Sequence, residues 1–271
     1  MRNAGAIGLV VLGLFPGSAA AATVDPLSVK QSARVSGGGT AELVLTCPDT
    51  AVALNASASV ELGNDSIPGR DARRWRFLVR GQGDAQRVKA VLRCVRLTLP
   101  SGISGVRLVV GTVRRPDVFV VAGATRRVAL QCERGMIPTG WGLERGGSGQ
   151  DIAVKAAAPT KRGFLFKLTN TGNAGASATP RIRCLGRTQN ASSGERHSFS
   201  TRVAKFQDGG RTARHSCADD EYSVAPGVSL DGGSLLDSAV PAGPRGGTWR
   251  FSKAGAAKTS LICLSRETRF R

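Results

Sequence analysis

The residues best fitted to covalent chemistry in this chain are six cysteines, Cys47, Cys94, Cys132, Cys184, Cys217 and Cys263. Three of them, Cys47, Cys132 and Cys217, recur every 85 residues, and each is followed by a second cysteine at 47, 52 or 46. No CxxC step occurs and only two histidines exist, His197 and His215, so the ligand groupings of a zinc site are missing and no metal is expected. Disulfide formation is the chemistry that remains. Several pairings are open to six cysteines, and the repetition favours Cys47–Cys94, Cys132–Cys184 and Cys217–Cys263. Closing a loop of about 48 residues stabilises a small unit by roughly 4 kcal/mol in the chain-entropy description.

The remaining reactive side chains form no recognisable catalytic set. His215 lies two residues before Cys217, in register with the inward face of its strand, and reads as a core or rim histidine. Asp219, Asp220 and Glu221 form a dense acidic run after Cys217, yet no such run follows Cys47 or Cys132, so it reads as a solvated loop. There is no G-x-S-x-G elbow, and no Gly-Lys step exists from which to build a P-loop. Gly146-Gly147-Ser148-Gly149 has no strand-to-helix setting and reads as a turn. The expectation is a non-enzymatic protein without a cofactor.

Arginine is the second feature. The chain has 30 Arg against 8 Lys and a formal net charge of +19, of which +9 falls on its middle third. Guanidinium groups make planar, forked contacts to phosphate, sulfate and carboxylate. Arg114, Arg115, Arg126 and Arg127 enter the middle repeat, and Arg181 and Arg183 leave it, two apart on a strand and on the face opposite Cys184. These six are the candidate polyanion contacts. The partners they imply are an anionic polysaccharide, a wall polymer or another surface protein. A dedicated nucleic-acid role is not expected, because aromatic residues are only 5% of the chain and no zinc finger, helix-turn-helix or basic helix is visible.

These residues must be held by strands. Leu43, Leu45 and Cys47 alternate with polar positions, as do Val88, Ala90, Leu92 and Cys94, so each sulfur sits on an apolar strand face. Upstream of each second cysteine is an aromatic pair, Trp75 with Phe77, Phe164 with Phe166, and Trp249 with Phe251. Gly and Pro break the chain into short segments, which suits strands and turns rather than helices. The expected fold is all-β: three tandem antiparallel immunoglobulin-like sandwiches over residues 23–107, 108–192 and 193–271, each with one disulfide. Residues 186–198 read as a polar linker, whereas apolar residues at 106–110 point to a tighter join.

The string Leu168-Thr169-Asn170-Thr171-Gly172-Asn173 resembles the "NTG" turn of immunoglobulin-like repeats in bacterial surface and secreted proteins. That resemblance implies adhesion, spacing or ligand display, usually without catalysis. The N-terminus fits the same setting. Arg2, an apolar run from Ala4 to Phe15 and the small residues to Ala22 read as a signal peptide over 1–22, cleaved near Ala22/Thr23. No transmembrane segment is expected, and the protein is placed outside the cytoplasm: secreted, periplasmic or at the cell surface. An alternative reading is a secreted inhibitor or protein-interaction module working through exposed loops at 63–74 or 142–151.

Overall fold

A computed structural model describes residues 21–59, 64–81, 84–146, 150–192, 194 and 196–270. Residues 1–20, and with them most of the expected signal peptide, lie outside the described part, as do residues 147–149 of the glycine-rich turn. Twenty-two strands and no helix make up the described chain. The first repeat contributes β1 (Ala21–Val35), β2 (Thr40–Thr46), β3 (Val52–Ala58), β4 (Asp65–Pro68), β5 (Arg74–Arg80) and β6 (Gln86–Thr98). The second contributes β7 (Val110–Arg114), β8 (Val118–Val120), β9 (Thr125–Gln131), β10 (Met136–Glu144), β11 (Ile152–Pro159), β12 (Gly163–Asn170) and β13 (Ala176–Gly186). A hairpin follows, β14 (Thr188–Asn190) and β15 (Arg196–Ser198). The third has β16 (Thr201–Asp208), β17 (Thr212–Ser216), β18 (Glu221–Leu230), β19 (Leu236–Ala242), β20 (Gly246–Phe251), β21 (Ala257–Ser265) and β22 (Glu267–Phe270).

The strands pair by one rule three times. The last long strand of a repeat lies between its first strand and the strand after its first cysteine: β1-β6-β3, β7-β13-β10 and β16-β21-β18. The strand carrying the aromatic pair joins two others: β2-β5-β4, β9-β12-β11 and β17-β20-β19. The strand after the first cysteine, β3, β10 or β18, bulges at Leu54, Thr139 and Val224, where the ladders skip one residue, and these positions keep the 85-residue stride of the cysteines. A bulge recurring at a fixed period belongs to the repeat rather than to local accident.

The repeats are not separate beads. Strand β4 pairs with β10, and β11 pairs with β18, so one repeat's second sheet continues into the next repeat's first sheet. Apolar burial follows the ladders. The second and third repeats share one continuous core, which also takes in Val24, Val52, Leu54 and Val95 from the first, while the rest of the first repeat has its own core around Trp75, Phe77 and Leu92. The stretch read as a polar linker is instead structured: its hairpin β14–β15 pairs with β22, and β22 pairs with β1. Polar composition misled there because edge-strand ladders need few apolar side chains. Strand β1 begins at Ala21, with Ala22 buried opposite Thr268, two residues ahead of the expected cleavage point.

All six residues of the aromatic pairs are buried. Their registers differ. Trp75 opposes Leu45 and Phe164 opposes Leu130, but the matching partner of His215 is Gly247, and Trp249 lies two pairs further along, opposite Ala213. The Trp249 ring reaches back over Gly247, where a Cβ would stand 3.0 Å from its Cη2 and 3.1 Å from Leu261. Trp249 therefore fills the space that the first aromatic residue occupies in the other repeats.

Candidate anion-binding face

The sulfurs pair within repeats, Cys47–Cys94, Cys132–Cys184 and Cys217–Cys263, each with Cα atoms 5.8 Å apart. A recurrent arginine supports each first cysteine. The N–H groups of Cys47, Cys132 and Cys217 donate to the carbonyls of Arg73, Arg162 and Arg245 at 2.9, 2.7 and 2.9 Å. In the first two repeats the same arginine's guanidinium donates back to the cysteine carbonyl, from Arg73 Nη2 at 2.8 Å and Arg162 Nη2 at 3.0 Å. Glu221 lies beside Cys217 and Cys263, but the disulfide occupies both sulfurs, and its carboxylate accepts from Arg202 and from the Ala218 N–H.

The six candidate arginines do not form one patch. Arg183 is withdrawn from the surface altogether: it is 1% exposed, and its Nη2 donates to the carbonyls of Gly69, Asp71 and Arg74 in the β4–β5 turn at 3.2, 3.4 and 3.1 Å. Its guanidinium also lies 5.7 Å from the centroid of Trp75. The face opposite Cys184 is indeed where Arg183 points, but the first repeat covers that face. Arg181, on the same face of β13, is half-buried and ion-paired with Glu144, with exposed Arg114 opposite it on β7. Arg115 is exposed just beyond, its N–H on the Pro180 carbonyl. Arg126 donates from Nη1 to the Phe119 carbonyl at 2.8 Å. Arg127 belongs to the opposite sheet, where it is exposed and faces Lys167.

Arg93 is the counterpart of Arg183, each preceding the second cysteine of its repeat. It donates to the carbonyls of Ser223, Gly243 and Gly246 in the third repeat. Burial pulls both guanidinium groups down to about 10, an effect that Asp71 opposes for Arg183, so both remain cationic at neutral pH. The third repeat has Ile262 at this position, 2% exposed. Between the second and third repeats, Trp141 supplies a polar link, its indole N–H donating to the Pro226 carbonyl at 2.8 Å. Two of the seams are thus held by arginines that sequence charge counting assigned to the surface or overlooked.

The six-stranded sheet β16-β21-β18-β11-β12-β9 presents a basic face. Across it Arg127, Lys167, Ala156, Ser229, Lys258 and Gln207 fall in one register row. A neighbouring row carries Leu165, Ala158, Gly227, Ser260 and Lys205. In the first row Arg127 and Lys167 stand on one side of Ala156 and Ser229 and Lys258 on the other, the second row has Lys205 at one end and Leu165 at the other, and neither row contains an acid. At about 4.8 Å per strand, Lys167 on β12 and Lys258 on β21 stand about 14 Å apart. Ala158, Ser229 and Ser260, with Pro159, Phe206 and Val228, line a groove of about 430 Å³ flanked by Lys205 and Lys258. Among the described residues, none of Arg127, Lys167, Lys205 and Lys258 is in an ion pair. Lys167, Lys205 and Lys258 escaped the sequence reading because only the bulged register of β11 and the pairing of β11 with β18 bring them onto one face with Arg127.

Asp208, next to Gln207 on β16, is turned inward. Asp208 Oδ1 lies 2.8 Å from His215 Nε2, and its Oδ2 accepts from Thr259 Oγ1 at 2.6 Å, while the His215 ring stacks on Phe206 at 3.9 Å. Aspartate thus bridges hydroxyl and imidazole, whereas nucleophilic catalysis requires the imidazole to touch the hydroxyl. The loop candidates are similarly committed, since residues 69–74 are gripped by Arg183 and Gly142 lies inside β10. The Asn170 side chain, 1% exposed, closes the turn after β12 by donating to Val120 and Ala174 and accepting from the Gly172 N–H. Among the described residues no helix is long and apolar enough to cross a membrane. Compared with protein-family models and with curated proteins, the chain matches none of either.

Proposed function

We propose that this is an exported, non-enzymatic binding protein built of three interlocked immunoglobulin-like repeats, which holds a linear anionic polymer along the face of β16-β21-β18-β11-β12-β9. The observation that carries this reading is the unpaired set Arg127, Lys167, Lys205 and Lys258, in two register rows free of acid, with Lys205 and Lys258 bordering a groove that Ala158, Ser229 and Ser260 help to line. A groove bordered by cations admits an anionic polymer backbone, and cations about 14 Å apart across the strands reach successive anionic groups. Sugar polymers fit better than single-stranded nucleic acid, since the groove offers one partly buried aromatic ring, Phe206, already stacked on His215. Three disulfides suit an oxidising compartment. Signal cleavage after Ala20, which has Ser18 two residues before it, would keep Ala21 and Ala22 in β1.

Titration with heparin-derived oligosaccharides tests the reading. Binding should weaken steeply with added salt, and Lys205→Glu combined with Lys258→Glu should cost about tenfold or more in affinity at ~0.15 M salt. Absence of binding by the wild-type protein, or equal affinity of the double variant, would contradict it.

A further inference from the structure

A second cationic face lies on β1 and β6, in the repeat that carried less of the charge. Arg34 stands directly opposite Arg87, Ser32 opposite Lys89, and Lys30 opposite Val91, so Lys30, Arg34, Arg87 and Lys89 share the outward side of two adjacent strands. All four are exposed, and among the described residues none is in an ion pair. Like charges directly opposed on neighbouring strands repel, and an oxyanion between them removes that repulsion. The pair is also partly oriented. Arg87 Nε and Nη2 donate to the Ser32 hydroxyl at 3.4 and 3.2 Å, and Ser32, Ala33, Arg34, Ala85 and Arg87 line a hollow of about 470 Å³. Two guanidinium forks facing one hollow match a tetrahedral sulfate or phosphate group.

We propose that Arg34 and Arg87, flanked by Lys30 and Lys89, form a second oxyanion-binding site, and that the protein is bivalent. The site stands on its own geometry; bivalency rests on the polymer-binding reading above. Strands β1 and β6 share no ladder with the six-stranded basic sheet, so the two sites are on different sheets and one molecule can join two polymer segments.

Calorimetric titration of the full chain with a sulfated heparin hexasaccharide tests this. Wild type should show two sites per chain. Arg34→Gln with Arg87→Gln should leave one, Lys205→Glu with Lys258→Glu should leave one, and long heparin should turn turbid with wild type but stay clear with either double variant. Because neutralising an opposed like-charge pair relieves repulsion, the arginine variant should melt no lower than wild type, which separates lost binding from lost fold. Unchanged stoichiometry and affinity in the arginine variant would overturn the site. If only the arginine variant loses binding, the second site stands and the six-stranded face is the reading that fails.

Discussion

The two sheets of the second repeat are built from one short stretch of sequence and make opposite use of basic side chains. On β7-β13-β10, Arg183 is sealed beneath the β4–β5 turn and Arg181 is neutralised by Glu144. On β9-β12-β11, Arg127 and Lys167 face outward without an acid in their row. Both sheets alternate inward and outward in the same way. What differs is the neighbour. The first repeat folds over the outward side of β13, whereas the outward side of β12 stays open next to the third repeat. Charge on an outward strand position is available only where no other part of the chain covers it.

That contrast can be broken by substitution. Arg183→Ala should have the largest effect, removing a buried side chain whose guanidinium donates to three backbone carbonyls and lies beside Trp75, at a cost of about 3 kcal/mol. A chemical-denaturation midpoint close to that of wild type would show that the clamp is dispensable. Arg181→Ala should cost less, about 1 kcal/mol or below, because its pair with Glu144 is partly hydrated, with side chains 14% and 32% exposed. Arg127→Ala should barely move stability, within ~0.5 kcal/mol, yet weaken polymer retention. If Arg127→Ala destabilised the fold as much as Arg183→Ala, the distinction between structural and available cations would fall.

Much of the architecture was legible because it rests on local periodicity. Alternation placed Leu43, Leu45 and Cys47 on one buried face, and the 85-residue stride paired the sulfurs within repeats. The interlocking was not legible. Pairing of β4 with β10 and β11 with β18 joins residues far apart in sequence, and nothing in the alternation of Ser66 or Ala156 marks a seam. The site followed the same division. Arg127 was identified from composition, but Lys167, Lys205 and Lys258 join it only through strand order. Arg183 was misplaced because period-two reasoning says which way a side chain points and not what lies there. The recurrent Arg73, Arg162 and Arg245 left a faint signal, an arginine shortly before each aromatic pair.

The central claim is that a polymer lies on the six-stranded face, and lysine acetylation with and without bound heparin, read by mass spectrometry, tests it most directly. Lys167, Lys205 and Lys258 should be protected by the polymer, while Lys161 and Lys253, exposed in turns outside those rows, should react as before. Equal modification of all five lysines, or protection confined to Lys161 and Lys253, would contradict the account.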